Sequence, residues 1–365
     1  MAWLSALALL VSAGASRRQA APQARRCGLV GACLALETGL FTPHWWLGLT
    51  GLLLIGLASQ PRATTRSLTF TQLLLAAGWL GAAGQPVLAG LAGWGLMYRF
   101  SPSRGLGLAG VLSTLLLALG FGLGQPPLVA LGFAVRLGLV PFHSWLVTSF
   151  EKGPTAVAAA FFASGLVVVD LSGWPTLAAV GAPTMLLGAV LASAQPRLRR
   201  AVACLSLSQA GLLGLAFGWS PEALPTLVVW MALATITWAL CAELVEVRYG
   251  QDPPLDRFSA SFEAMPRLST AFVFSGLVAV GLPGTLGYVA EDMVAQSLVH
   301  SHPLLAVAGL LASTLNAITV GRAVFHLFSG PLPKGPGCDL LPREMALLTL
   351  AFCVLAGLGF WPGGL

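Results

Sequence analysis

LVALGFAVRLGLVPFHSWLV, residues 128–147, is an apolar run with an arginine, Arg136, a proline, Pro141, and a histidine, His143, set into it. About 20 residues of helix cross the hydrocarbon of a bilayer, so the run is long enough to span. A continuous helix in oil would exclude the proline, which removes a backbone donor and clashes with the preceding turn. It would also exclude the guanidinium, which costs about 2.5–3.5 kcal/mol at mid-membrane even on a lenient scale. The stretch therefore reads as a broken membrane helix whose freed backbone groups meet a polar interior.

The rest of the chain has the same character. Of 365 residues, 56% are hydrophobic and 9% charged, against roughly a quarter charged in a soluble domain. A soluble fold of this size would need a charged surface that the sequence does not contain, so the class is polytopic membrane protein. The 43 glycines suit close helix packing in lipid. Cysteines 27, 33, 204, 241, 338 and 353 are scattered, with no CxxC or Cys/His cluster. Zinc, iron–sulfur and c-type haem sites are thus not indicated. No phosphate loop occurs, and no GxGxxG follows a strand. The net charge of +6 reflects basic cytoplasmic loops and implies no nucleic-acid partner.

Apolar runs lie at 1–14, 28–41, 45–59, 68–83, 85–99, 105–123, 127–148, 154–171, 174–194, 200–218, 222–249, 266–300, 304–329 and 343–362, which gives about fourteen spans. Charge tests that count. The loops after odd-numbered spans carry 17 of the 19 basic residues, and the loops after even-numbered spans carry none. A wrong count would scramble the alternation. The positive-inside rule then puts the basic loops in the cytoplasm and both termini outside. Residues 1–16 read as an N-out anchor, because their arginines follow the apolar stretch; a cleaved signal peptide is the alternative.

A second interruption, GLPGTLG at 281–287, falls in span 12, five spans after the one in span 7. Spans five apart cross in opposite directions, so matched breaks predict inverted repeats. The expected fold is an all-α polytopic membrane protein of about fourteen helices. Three N-terminal helices occupy 1–60, and two inverted five-helix repeats occupy 68–171 and 174–329, each with its broken helix. A last helix lies at 343–362.

Each ionisable group inside a span needs a reason. Glu291 follows the second break by four residues and could exchange protons in a hydrated gap, or serve as a structural hydrogen-bonding group. Asp292 points about 100° away from it on a helix. His143 can take and release protons near neutral pH. Arg136 cannot, and reads as a fixed charge, an anchor for an anion or carboxylate, or half of an ion pair. Glu243 and Glu246 sit near the basic end of span 11, where interfacial charge is expected. Arg322 and His326, one turn apart in span 13, either face the bundle interior or snorkel; Asp170 lies at the outer end of span 8.

LGFAVRLGLVPFHSWLVTSFEKGPTAVAAAFFAS, PRLRRAVACLSLSQAGLLGLAF and AVGLPGTLGYVAED resemble three motifs of one family. These are the antiporter-like subunits of respiratory complex I, shared with Mrp-type cation/proton antiporters and membrane-bound hydrogenases. The resemblance covers about residues 68–329. It implies a row of ionisable residues across mid-membrane that passes protons. Carried over, that row departs from the family pattern. The family's span 5 glutamate falls on Gly95, after Trp94; its span 7 lysine falls on Arg136; its span 8 lysine falls near Leu166; and a span 10 histidine falls on Gln209. His143 and Glu291 remain. The resemblance thus implies a proton relay of Glu291, His143 and Arg136, degenerate in its first half. Ser206, Ser208, Gln209, Asp292, Glu243, Glu246, Arg322 and His326 are possible relay or supporting groups.

The expected function is a proton-translocating, antiporter-like subunit of a complex-I-like NADH/quinone oxidoreductase or related complex. Such a subunit would sit in a bacterial inner membrane with no catalytic site, cofactor or metal of its own. Its energy would come from other membrane and peripheral subunits. Two further readings stay open: a membrane subunit for inorganic-carbon (bicarbonate) uptake, and a non-conducting structural subunit.

Overall fold

The computed structural model describes residues 104–152, 175–258, 262–330 and 339–360, with single positions between 155 and 162. Spans 1–5, most of span 8, and with them residues 1–16, Gly95, Leu166 and Asp170, lie outside the described residues.

Every described α-helix falls on an expected apolar run. Helix α1 is Arg104–Gly122; span 7 is divided into α2, Pro126–Leu137, and α3, Ser144–Lys152. Helices α4, Pro175–Ala194, and α5, Leu198–Trp219, follow. A single 3-10 turn, Pro221–Ala223, leads into α6, Leu224–Tyr249. Span 12 is divided into α7, Pro266–Ala279, and α8, Leu286–Ser301; α9 is Pro303–Phe328 and α10 is Pro342–Phe360. Helices α2, α7 and α9 open on proline, which suits a first turn where its missing N–H costs nothing.

Among the described residues, four stretches are individually long and apolar enough to cross a membrane: Leu177–Ala194, Leu198–Trp219, Pro221–Tyr249 and Pro303–Phe328. This is an integral membrane protein of apolar helices. Burial separates them: 89% of the residues in an 18-residue apolar segment of α5, and of the stretch ending in α6, are buried, against 28% in that of α9. Helix α6 is apolar all round, as a helix at the centre of a membrane bundle must be. Trp230, Trp238, Phe217 and Phe272 are fully enclosed there.

Helices α4 and α5 meet backbone to backbone. A Cβ added at Gly211 would lie 2.2 Å from the Met185 nitrogen, and one at Gly188 would lie 2.4 Å from the Ser208 nitrogen. One at Gly181 would lie 2.4 Å from the Leu215 nitrogen. Lipid gives apolar side chains no reason to hide, so close approach at small residues supplies the contact.

The basic end of the bundle is tied by charge. Arg199 grips Glu246 through two nitrogens and donates to the Glu151 carbonyl at 2.8 Å. Its backbone N–H donates to Asp252 at 3.2 Å, and burial pushes the Asp252 carboxyl up from its ordinary value. Arg200 pairs with Glu151. Asp339 reaches across to accept from the backbone N–H groups of Arg267 and Leu268, both at 3.0 Å, at the first turn of α7. That replaces the cap which Met265 cannot provide. Arg248 pairs with Glu344 at 2.6 Å, with side chains 8% and 5% exposed. Removing one partner of a buried pair strands the other, so Arg248→Met is expected to cost about 3–5 kcal/mol. The check is the thermal midpoint of the detergent-solubilised protein; a midpoint unchanged from wild type would show that water already screens the pair.

Candidate functional site

Both helix breaks are built on the same local plan. In the first, Gly138 takes φ 70° and ends α2; in the second, Gly281 takes φ 75° just beyond α7. That left-handed conformation is open to glycine at little cost. A proline follows each glycine, Pro141 and Pro283, and blocks continuation. The Val140–Pro141 bond is cis. A helix end leaves carbonyls short of intrahelical donors, and at each break an indole joins the glycine N–H on one of them. Trp145 Nε1 donates to the Val135 carbonyl at 2.8 Å, and Trp230 Nε1 donates to the Val278 carbonyl at 2.9 Å. Each carbonyl stands three residues before its glycine. Gln209 Nε2 donates to the next carbonyl of the second break, that of Ala279, at 2.8 Å. At the first break the Val140 N–H donates to Thr184 Oγ1 of α4 at 3.0 Å.

Beyond the second break, Glu291 on α8 turns back over it. A Cβ on Gly281 would lie 3.1 Å from Glu291 Oε2, so the carboxylate rests against that glycine. Ser313 Oγ of α9 donates to Glu291 Oε2 at 3.0 Å. The carboxylate lines a cavity of about 50 Å³ between α4, α5, α8 and α9, bordered also by Ser208, Gln209, Ser313 and Asn316. Asn316 Nδ2 donates to Ser208 Oγ at 3.0 Å, and Thr235 Oγ1 donates to Gln209 Oε1 at 3.0 Å. Asn316 Oδ1 is buried without a hydrogen-bond partner among the described residues. A water needs about 10–15 Å³ and two to four polar partners, and this cavity offers both.

The structure thus brings Glu291, Ser208 and Gln209 to one cavity. Ser206, two residues away, faces elsewhere and returns its hydroxyl to the Val202 carbonyl of its own helix. Asp292 points out of the bundle, exposed, with Gln296 Nε2 donating to it at 2.7 Å. Glu246 is held by Arg199 at the basic end, and Glu243 is buried one turn above it. Arg322 donates to the carbonyls of Ser193, Gln195 and Leu255, clamping the end of α4. His326 stacks on Phe258 with ring centroids 4.7 Å apart. At the first break Arg136 is 5% exposed, and its Nε and Nη1 have no hydrogen-bond partner among the described residues. His143 is half-buried between α2 and α3, and its buried Nδ1 has no hydrogen-bond partner among the described residues.

Ser313, Asn316, Thr235 and Trp230 escaped the sequence reading. The stretch STLN at 313–316 places two polar side chains three residues apart in an apolar span. That signal is weak, because a lone Ser or Thr in a membrane helix usually bonds its own i−4 carbonyl, as Thr314 and Thr319 do here.

Residues 124–316 match the family described as NADH:quinone oxidoreductase/Mrp antiporter, TM. The chain is 29% identical to the F(420)H(2) dehydrogenase subunit N of Methanosarcina mazei, over 64% of this chain and 54% of that protein. It is 30% identical to the NADH-quinone oxidoreductase subunit M of Pseudomonas aeruginosa, over 63% of this chain and 49% of that protein. It therefore spans about half the length of these two relatives. A chain of respiratory complex I from Thermus thermophilus shares the fold, with a TM-score of 0.65 at 24% identity over 99% of this chain and 80% of that one. With just over half of its length matched, the chain belongs to the NADH:quinone oxidoreductase/Mrp antiporter transmembrane family.

Proposed function

We propose that this chain is a proton-translocating, antiporter-like subunit of a multi-subunit membrane complex of the NADH-quinone oxidoreductase kind. In this reading it moves protons through its second half while other subunits carry the redox cofactors. The complex lies in a bacterial inner membrane, with both termini of this chain outside. The chain is built of about fourteen spans, in which residues 68–171 and 174–329 form the inverted repeats. The relatives named as oxidoreductase and dehydrogenase subunits support the assembly. The matching build of the two breaks supports the repeats.

The observation that carries the reading is Glu291, a carboxyl placed over a helix break and opening on a cavity with polar walls. A carboxylate there accepts from Ser313, and water in the cavity can deliver or remove its proton. A proton suits the site better than a metal cation. Helix breaks that hold cations do so with free carbonyls, whereas those of Leu277, Val278 and Ala279 are already engaged by N–H donors. The test is proton uptake into proteoliposomes holding the intact complex, with Glu291→Gln compared to wild type.

Arg136 serves in this reading as a fixed positive charge beside the first break, with His143 available to the same polar axis. Arginine holds its proton, so Arg136 can bias a neighbouring carrier without relaying. Arg136→Lys is then expected to keep flux within about twofold, and Arg136→Leu to reduce it by about tenfold or more. Equal flux in the two variants, read in the same proteoliposomes, would remove Arg136 from the mechanism.

A further inference from the structure

A carboxyl that takes up a proton and gives it back needs different partners in its two states. Ionised, it only accepts hydrogen bonds; protonated, it also carries one O–H donor. Ser313 Oγ serves the ionised form, donating to Glu291 Oε2 at 3.0 Å. The other polar side chains bordering the cavity are committed elsewhere, with one exception. Gln209 donates to the Ala279 carbonyl at 2.8 Å and accepts from Thr235 at 3.0 Å, so both ends of its amide are held. Ser208 Oγ accepts from Asn316 Nδ2 at 3.0 Å. That contact orients Asn316 as well: with its nitrogen on Ser208, its oxygen is turned to another side. Asn316 is 8% exposed, and its Oδ1 has no hydrogen-bond partner among the described residues.

A buried acceptor left unsatisfied is costly, so its place relative to the carboxyl matters. Asn316 stands three residues after Ser313 on α9. Side chains at that spacing share a face, with Cβ atoms about 5–6 Å apart. One aims a donor at Glu291, and the other brings an unused acceptor within reach of it, directly or across one cavity water. Among the described residues that line the cavity, Glu291 alone titrates, so no neighbouring charge competes for the role. We propose that Asn316 is a positioning residue for the protonated form of Glu291: its Oδ1 accepts from the carboxyl O–H, while Ser313 holds the ionised form. Uptake forms an O–H bond on the carboxylate with a proton drawn from cavity water, and that O–H donates to Asn316. Release breaks the same bond, returns the proton to water and leaves both oxygens accepting again. The proposal rests on the reading of Glu291 as a proton-exchanging group.

The experiment is infrared difference spectroscopy of the intact complex in membranes, between acid and alkaline buffer. Bands that vanish in Glu291→Gln belong to this carboxyl: a C=O stretch for the protonated form and carboxylate stretches for the ionised one. Asn316→Val and Asn316→Thr are compared, because valine and threonine share a shape and differ by an oxygen. Asn316→Val is expected to move the C=O stretch to higher frequency, as a carboxyl that loses an acceptor does, and to leave the carboxylate stretches in place. Asn316→Thr should move it less and keep uptake about two- to tenfold faster than Asn316→Val. Ser313→Ala should do the reverse, moving the carboxylate stretches alone. A C=O stretch unmoved by Asn316→Val would overturn the proposal. So would carboxylate stretches that move instead, which would turn the amide nitrogen toward Glu291, or a C=O stretch that follows Ser313→Ala, which would give one hydroxyl both roles. The expected band pattern together with full uptake in Glu291→Gln would keep the two-partner arrangement and remove Glu291 from transport, so the two readings fail separately.

Discussion

Glu291→Gln is expected to abolish coupled proton uptake, a loss on the order of a hundredfold or more if this carboxyl is the exchanging group. The substitution is close to isosteric. Ser313 can still donate to the amide oxygen, as it now does to Glu291 Oε2 at 3.0 Å, so α8 and α9 keep their contact. The amide cannot take up and release a proton, and that is the one property removed. Two neighbours grade the effect. Ser313→Ala deletes one hydrogen bond to the carboxylate, worth about 0.5–1.5 kcal/mol, and should slow uptake roughly two- to tenfold. Asn316→Leu removes the orphaned Oδ1 and fills the cavity with hydrocarbon. It should drive out water and cost more than Ser313→Ala while leaving Glu291 itself untouched. Uptake is read as pH change inside liposomes of the intact complex, with assembly followed by gel filtration. Full uptake in Glu291→Gln with normal assembly would leave the cavity as a structural polar pocket.

Both helix breaks could be read directly from the chain. Proline and glycine inside long apolar runs have few other meanings, and the structure interrupts both runs, at Gly138, three residues before Pro141, and at Gly281, the first residue of GLPGTLG. The described helices were legible for a related reason: apolar length and basic loops are the constraints a bilayer imposes most strictly. The site was legible in part. Glu291 stood out because a carboxylate in a span demands explanation, and Gln209 because it replaces a family histidine. The resemblance could not say that Gln209 would cap a broken helix, donating to the Ala279 carbonyl seventy residues away. Which way a side chain faces was also hidden. Ser206 and Ser208 look alike in sequence, yet one bonds its own helix and the other meets Asn316. In helices apolar on every side no moment distinguishes the faces. The opposed directions of Glu291 and Asp292 followed from helix geometry, but which of them met the cavity did not. The polar groups at the basic end were foreseen as interfacial, whereas the pairing of Arg199 with Glu246 joins residues 47 apart and has no local signature.

Gly211→Ala should be the most damaging small substitution in the described bundle. The new methyl would start 2.2 Å from the Met185 nitrogen and 2.6 Å from its Cα. Both are backbone atoms, so no side chain can swing away, and α4 and α5 must part by more than about 1 Å to reach ordinary contact. Overpacking of this kind costs about 1–3 kcal/mol, and more where backbone must move. The consequence reaches the site, because Ser208 and Gln209 lie within one turn of Gly211. Shifting α5 pulls on the Asn316 contact, the Thr235 contact and the cap on Ala279 together. The variant is therefore expected to lose both thermal stability and proton uptake. Gly321→Ala in α9 is the control. A methyl there meets nothing within 4 Å, so the better helix propensity of alanine should leave stability equal or raise it by up to about 1 kcal/mol. The comparison uses thermal midpoints of the two purified variants in one detergent. Equal midpoints would mean that α4 and α5 are not in backbone contact, and the cavity they help to wall would have to be wider than 50 Å³.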